Sequence, residues 1–191
     1  MNLIYQNWAK AGLIIALSII SYVYLIRKQN IALADKYILL NLAFLMLHQF
    51  EEYVYPGGFK NYFNTRIFNP FGFFKNKLTD KGIFWVNVIL GWGLNIAVFI
   101  IFNGNITAML IVITVLFING IMHFFMAFKT RDYNPGLVTG AIFFIPLAMY
   151  IYSKLYSTGL INVTDILLIF VYAVLLNLMI PITIYVTRDI K

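Results

Sequence analysis

The chain has 191 residues, of which 62% are hydrophobic and 11% charged, with a formal net charge of +7 and no cysteine; its mean hydropathy is +0.84. Soluble domains do not reach such a composition, which specifies an integral membrane protein and leaves no basic, non-membrane domain for nucleic acid. The absence of cysteine excludes disulfides, thiolate metal sites and cysteine nucleophiles. Continuous apolar runs, each near the roughly 20 residues that cross ~30 Å of hydrocarbon, predict six helices at about 9–26, 36–55, 83–102, 106–128, 136–153 and 165–187. They form one all-α polytopic domain; a barrel would need short alternating segments instead. The first run lacks a small-residue cleavage site before the next basic cluster and reads as a helix, not a removed signal. "FNGN" makes a tight turn between the third and fourth helices, and "TRDYNPG" separates the fourth from the fifth. Pro135 and Gly136 set the entry of the fifth helix, with Thr139 close enough to contribute a hydroxyl, and Pro146 and Pro181 are placed to kink their helices.

Only the connection 56–82 is long. It interleaves Phe and Tyr with Lys and Arg, the pattern of an interfacial segment lying among headgroups. Its length also allows a lid, hinged at Gly57 and Gly58. With the N-terminus inside, one face of the membrane carries Lys10, Lys60, Arg66, Lys75, Lys77, Lys81, Lys129, Arg131, Arg188 and Lys191, against Arg27, Lys28, Lys36 and Lys154 on the other. Ten against four places both termini in the cytoplasm, so the positive charge follows from topology and anionic headgroups. The expected location is the bacterial inner membrane. The partner is the lipid bilayer, and nucleic acid is not one.

That orientation brings two remote segments to one depth. His48 lies seven residues before the cytoplasmic end of the second helix, near Tyr55, or ~10 Å along it. His123 lies five residues before the end of the fourth, near Phe128, or ~8 Å. All five aspartates fall at helix ends or in connections, where water is expected to satisfy them, so only Glu51 and Glu52 remain inside a span or at its edge. An ionised carboxylate at a helix centre costs roughly 2.5–3.5 kcal/mol, so the pair needs partners or a wet cavity. Glu52 follows His48 by four residues and stands about 40° from it around the helix, while Glu51 stands about 60° to the other side. Asn41, His48 and Tyr55 repeat at intervals of seven and extend one polar stripe toward the bundle interior. Asn119 and His123 share a face of the fourth helix; Asn87, Gly91 and Asn95 make a small and polar stripe on the third, and Asn177 sits inside the sixth. For Asn87, Asn95 and Asn177 the favoured role is bonding between helices.

"HQFEE" at 48–52, "NGIMH" at 119–123 and "PGLVT" at 135–139 resemble, in order and on spans, the HxxEE, NxxxH and PGxxT signatures of the HXXEE-domain family of small integral membrane proteins. The resemblance covers roughly 40–145 and implies a polytopic membrane protein with an enzymatic site. Carried onto this chain, it marks His48, Glu51, Glu52, Asn119, His123, Pro135, Gly136 and Thr139.

Three readings compete for these groups. In a membrane-embedded enzyme, Glu52 is the base, His48 tunes it, and His123, oriented by Asn119, acts as acid or electrophile. Such a set suits hydrolysis or isomerisation of a hydrophobic, lipid-like substrate, as in membrane sterol isomerases. In a metal-assisted version, His48, Glu52 and His123 make a two-histidine, one-carboxylate set for Zn²⁺ or Fe²⁺, with an open position and the other glutamate as base. In a carrier, the same groups bind and relay a proton or metal ion. The alternative without function pairs His48 with Glu52 and lets Glu51 reach toward Lys60 or Arg66. The chain is similar to CAAX-type intramembrane proteases in its paired glutamates and later histidine, but "EEYVYP" lacks the arginine expected after the pair and no second histidine motif follows.

Overall fold

The computed structural model describes residues 3–26, 32–66 and 77–188, in which seven helices and no strand occur. They are α1 (Leu3–Leu25), α2 (Leu33–Tyr53), α3 (Phe59–Arg66), α4 (Asp80–Ile101), α5 (Ile106–Thr130), α6 (Leu137–Ser157) and α7 (Val163–Val186). Five of them, α1 and α4 to α7, are long and apolar enough to cross a membrane. The outward faces are apolar: Ile14, Ile100, Leu167 and Val171 are all exposed. In lipid this costs nothing, whereas in water such continuous surfaces would aggregate.

The helices end where local chemistry stops them. Thr79 caps α4 by accepting from Gly82 N, and Asn105 caps α5 by accepting from Ala108 N. Asn162 and Asp165 form a capping box at α7. The turn expected at "FNGN" is present, with Asn105 N donating to Phe102 O at 2.9 Å. Two helices contain a π-helical stretch, Trp85–Trp92 in α4 and Gly140–Phe144 in α6. Pro181 has no N–H for the carbonyl of Asn177, and α7 breaks its regular bonding there, between Asn177 and Met179.

α2 is the enclosed helix. Twelve of its 21 residues are buried, including every polar group from Asn41 to Glu52. Ala9, Gly12 and Ala16 give α1 a smooth stripe that lies against it. α4, α5 and α6 close the other sides, and Gly120 and Gly140 let α5 and α6 approach until a Cβ on either would stand 3.2–3.3 Å from the opposite backbone. At one end of the bundle Asp35 is buried and accepts from Asn103 Nδ2 (3.1 Å) and Gly104 N (3.0 Å). Protein donors therefore replace the water expected there, because the 102–105 turn folds over the start of α2.

The opposite end gathers the C-termini of α2, α5 and α7 with the N-termini of α4 and α6. Thr79 Oγ1 donates to Thr187 O at 3.1 Å, and Tyr62 Oη is 3.0 Å from Thr130 Oγ1. The connection 56–82 forms α3 at its start and joins α4 at its end. Its middle, 67–76, lies outside the described residues. Lys60 pairs with Asp80 at 2.6 Å and Arg66 with Asp132 at 3.8 Å, so neither serves Glu51.

Candidate functional site

Glu51 and Glu52 are adjacent, and the 100° helical step turns them to different surroundings. Glu51 faces the entry of α6. Its Oε1 accepts from Tyr133 Oη (2.6 Å), Gly136 N (3.0 Å) and Val138 N (3.1 Å), and its Oε2 from Thr139 N (2.7 Å) and Thr139 Oγ1 (2.5 Å). Five donors leave no acceptor for a carboxyl proton, so Glu51 is a carboxylate that caps the otherwise unpaired amides at the start of α6. Burial and the hydrogen bond to Glu51 raise the pKa of Tyr133, which keeps this phenol a donor.

The same hydroxyl orders the first histidine. Thr139 spends its one proton on Glu51, so its oxygen must accept from His48 Nδ1–H, 2.9 Å away. In the neutral form of the ring this places the lone pair on Nε2, which is buried and has no hydrogen-bond partner. Glu52 Oε1 lies 3.6 Å from His48 Nε2 and 3.4 Å from His123 Nε2. Both separations exceed a good hydrogen bond. They match the edge of a tetrahedron around an ion, since two ligand atoms each ~2.1 Å from the centre stand about 3.4 Å apart. The three ligand atoms of His48, Glu52 and His123 all lie within 4.8 Å of one another, and all three residues are buried.

Neighbouring groups hold this arrangement. The two imidazole centroids are 4.8 Å apart with their planes at 85°. Phe144 packs on His48 (4.7 Å) and Phe59 of α3 on His123 (5.5 Å), so α3 covers the site. Gly136, at φ 99°, threads between the rings; a Cβ there would stand 2.6 Å from Cε1 of each histidine. A chain of donors leads to Glu52 from the other side. Trp92 Nε1 donates to Gln49 Oε1 (2.6 Å), Gln49 Nε2 to Asn87 Oδ1 (3.1 Å), and Asn87 Nδ2 to Tyr53 Oη (3.2 Å). Tyr53 is left with its own proton and interacts with Glu52.

Most of the expected residues converge. His48, Glu51, Glu52, His123, Gly136 and Thr139 form one cluster, and Pro135 sits in the buried turn that leads into it. Asn41 is one layer away, donating to Asn95 Oδ1 at 2.9 Å, and Asn87 meets Gln49; both bond α2 to α4, as expected for Asn87 and Asn95. Asn177 instead bonds within its own helix, to Ala173 O. Tyr55 does not belong to the stripe: α2 ends at Tyr53, and Tyr55 is 77% exposed. Asn119 does not orient His123, because its Oδ1 is buried without a partner. Asn134 Nδ2 donates to the backbone carbonyl of His123 at 3.2 Å, which ties the turn to α5, while the imidazole Nδ1 of His123 is buried without a hydrogen-bond partner. Tyr133, Asn134, Gln49 and Tyr53 escaped the sequence reading. Their only signal was proximity, within "YNPG" and "HQFEEY", to the motifs already marked.

Two adjoining hollows, of about 150 Å³ and about 360 Å³, reach the cluster. They share Glu52, Val86, Asn87, Asn119, Asn177 and Ile180 as walls; His48 faces the smaller and His123 the larger. The π-helical stretch of α4 and the break in α7 both border them, through Asn87 and Asn177. The sequence model of a family described as "Protein of unknown function with HXXEE motif" matches residues 39–151. No curated protein and no solved structure matches the chain.

Proposed function

This chain belongs to the HXXEE family, and on that premise we propose that it is a membrane-embedded, metal-assisted hydrolase acting on a hydrophobic substrate. The observation that carries the reading is the meeting of His48, Glu52 and His123 ligand atoms within 4.8 Å of one another, with both histidine–carboxylate separations near a tetrahedral edge and His48 Nε2 buried and without a hydrogen-bond partner. Two neutral imidazoles and one carboxylate suit Zn²⁺ or Fe²⁺ and leave a coordination position open. A divalent cation supplies Lewis acidity and lowers the pKa of a bound water.

The protein groups divide the remaining work. Glu51 and Thr139 hold the His48 tautomer, in the manner of a carboxylate behind a metal-bound histidine. Glu51, with both oxygens filled by donors, cannot be the base expected of the other glutamate; Glu52 would help hold the cation through one oxygen, and its second oxygen would take the proton as water adds to the acyl carbon. That proton passes to the leaving oxygen or nitrogen as its bond to the acyl carbon breaks, so the products are a carboxylic acid and an alcohol or amine. Gly136, Phe59 and Phe144 exclude bulk water from the rings. In this reading α2 is a sixth span, both termini are cytoplasmic, and the site lies toward the cytoplasmic face of a bacterial inner membrane. The ten-to-four charge asymmetry supports this.

The test is metal content. Chain purified without chelators, or incubated with Zn²⁺ or Fe²⁺, is expected to hold about one ion per chain. His123→Ala and Glu52→Ala are expected to lose it while helical circular dichroism is unchanged. A wild-type protein that takes up neither ion overturns the proposal.

A further inference from the structure

The two hollows narrow the class of substrate, resting on the catalytic reading above. Their walls are mainly apolar: Leu45, Leu90 and Leu116 in the smaller, Phe63, Met126 and Ile184 in the larger. The larger falls within the roughly 300–1,000 Å³ typical of small-molecule sites. Among the described residues, no lysine or arginine lines either hollow, and Glu52 is the one carboxylate that does. A phosphate or carboxylate head would therefore enter low dielectric with no basic side chain to receive it. Glu52, in the wall of both hollows, would also repel an anionic head. Asn119 lines both hollows, and its Oδ1 has no partner. A buried, unpaired carboxamide oxygen is costly unless a ligand donates to it.

We infer that the paired hollows bind a neutral single-chain lipid whose amide head donates its N–H to Asn119 Oδ1 beside Glu52, and that they reject anionic amphiphiles of the same chain length. Asn119 is then a specificity-determining residue that acts by pairing with the head group.

The test uses the full chain in nanodiscs and a palmitoyl ethanolamide analogue carrying a diazirine in its acyl chain. After photolysis, mass spectrometry is expected to map the label to Leu90, Leu116 or Ile184. Unlabelled palmitoyl ethanolamide is expected to compete at least tenfold better than palmitate or hexadecyl phosphate. Asn119→Leu is expected to reduce labelling at least fivefold, and Asn119→Gln to restore part of it. Leu90→Trp, which fills the smaller hollow, gives a second variant and is expected to reduce labelling with metal content unchanged. Label confined to the outer faces of α1 and α7, or equal competition by hexadecyl phosphate, overturns the inference. Metal is measured on the same samples. Labelling of wild-type protein that takes up neither Zn²⁺ nor Fe²⁺ supports the chamber while counting against the catalytic reading alone.

Discussion

Gly136 offers a direct measurement of how tightly the two histidines are held. An alanine Cβ at this position would lie 2.6 Å from Cε1 of both His48 and His123 and 2.9 Å from His123 Nδ1. Carbon pairs settle at about 3.5–4.0 Å, so each ring must withdraw by about 1 Å. Ligand geometry tolerates only about 0.5 Å. The backbone contributes separately, since φ is +99° and alanine there costs of order 1–3 kcal/mol. Gly58 provides the control: its φ is +93°, but a Cβ there meets nothing within 4 Å. Gly136→Ala and Gly58→Ala should therefore lose similar stability from the backbone, read by thermal unfolding in detergent. Only Gly136→Ala should also weaken Zn²⁺ binding, by at least about tenfold, measured by competition with a chelating dye. Wild-type affinity in Gly136→Ala, or an equal loss in Gly58→Ala, would refute the claim that this glycine is a spacer between metal ligands.

Two further substitutions probe the groups behind the ligands. Thr139→Val keeps the side-chain shape but removes the acceptor of His48 Nδ1–H, and should lower Zn²⁺ affinity by about 10–100-fold at unchanged helix content; Thr139→Ser should restore it, and an unaffected Thr139→Val would disprove the relay. Glu51→Gln replaces an acceptor-only group that serves five donors with one that brings donors of its own. It should lower the denaturant midpoint by the equivalent of at least about 2 kcal/mol, and a stability equal to wild type would show that Glu51 does not anchor α6.

Much of the site was legible because helical spacing is a local property. His48 and Glu52, four residues apart, had to share a face whatever surrounds them, and Asn119 and His123 likewise. The three motifs in order then marked which faces met. Roles were less legible than membership. Glu51 and Glu52 look alike as a pair, yet one closes the start of α6 and the other faces the hollows, because neighbours on a helix point 100° apart. Tyr55 failed for a related reason: the period of seven held, but α2 stopped two residues before it. Asp35 was assigned to water on its position at a helix end, without a view of the turn that covers it.

Composition alone determined that this is a membrane protein built of apolar helices, since hydrocarbon admits little else that satisfies a backbone. Periodicity alone determined which ionisable groups would be stacked on one helix. Only the tertiary structure decided that imidazoles from α2 and α5 share one carboxylate, that a threonine in the first turn of α6 and a tyrosine from the loop before it support them, and that asparagines line a chamber beside them. Those contacts join residues as far as 91 positions apart. Their geometry depends on helix packing, on the π-helical stretches and on the left-handed turn at Gly136, none of which leaves a compositional trace.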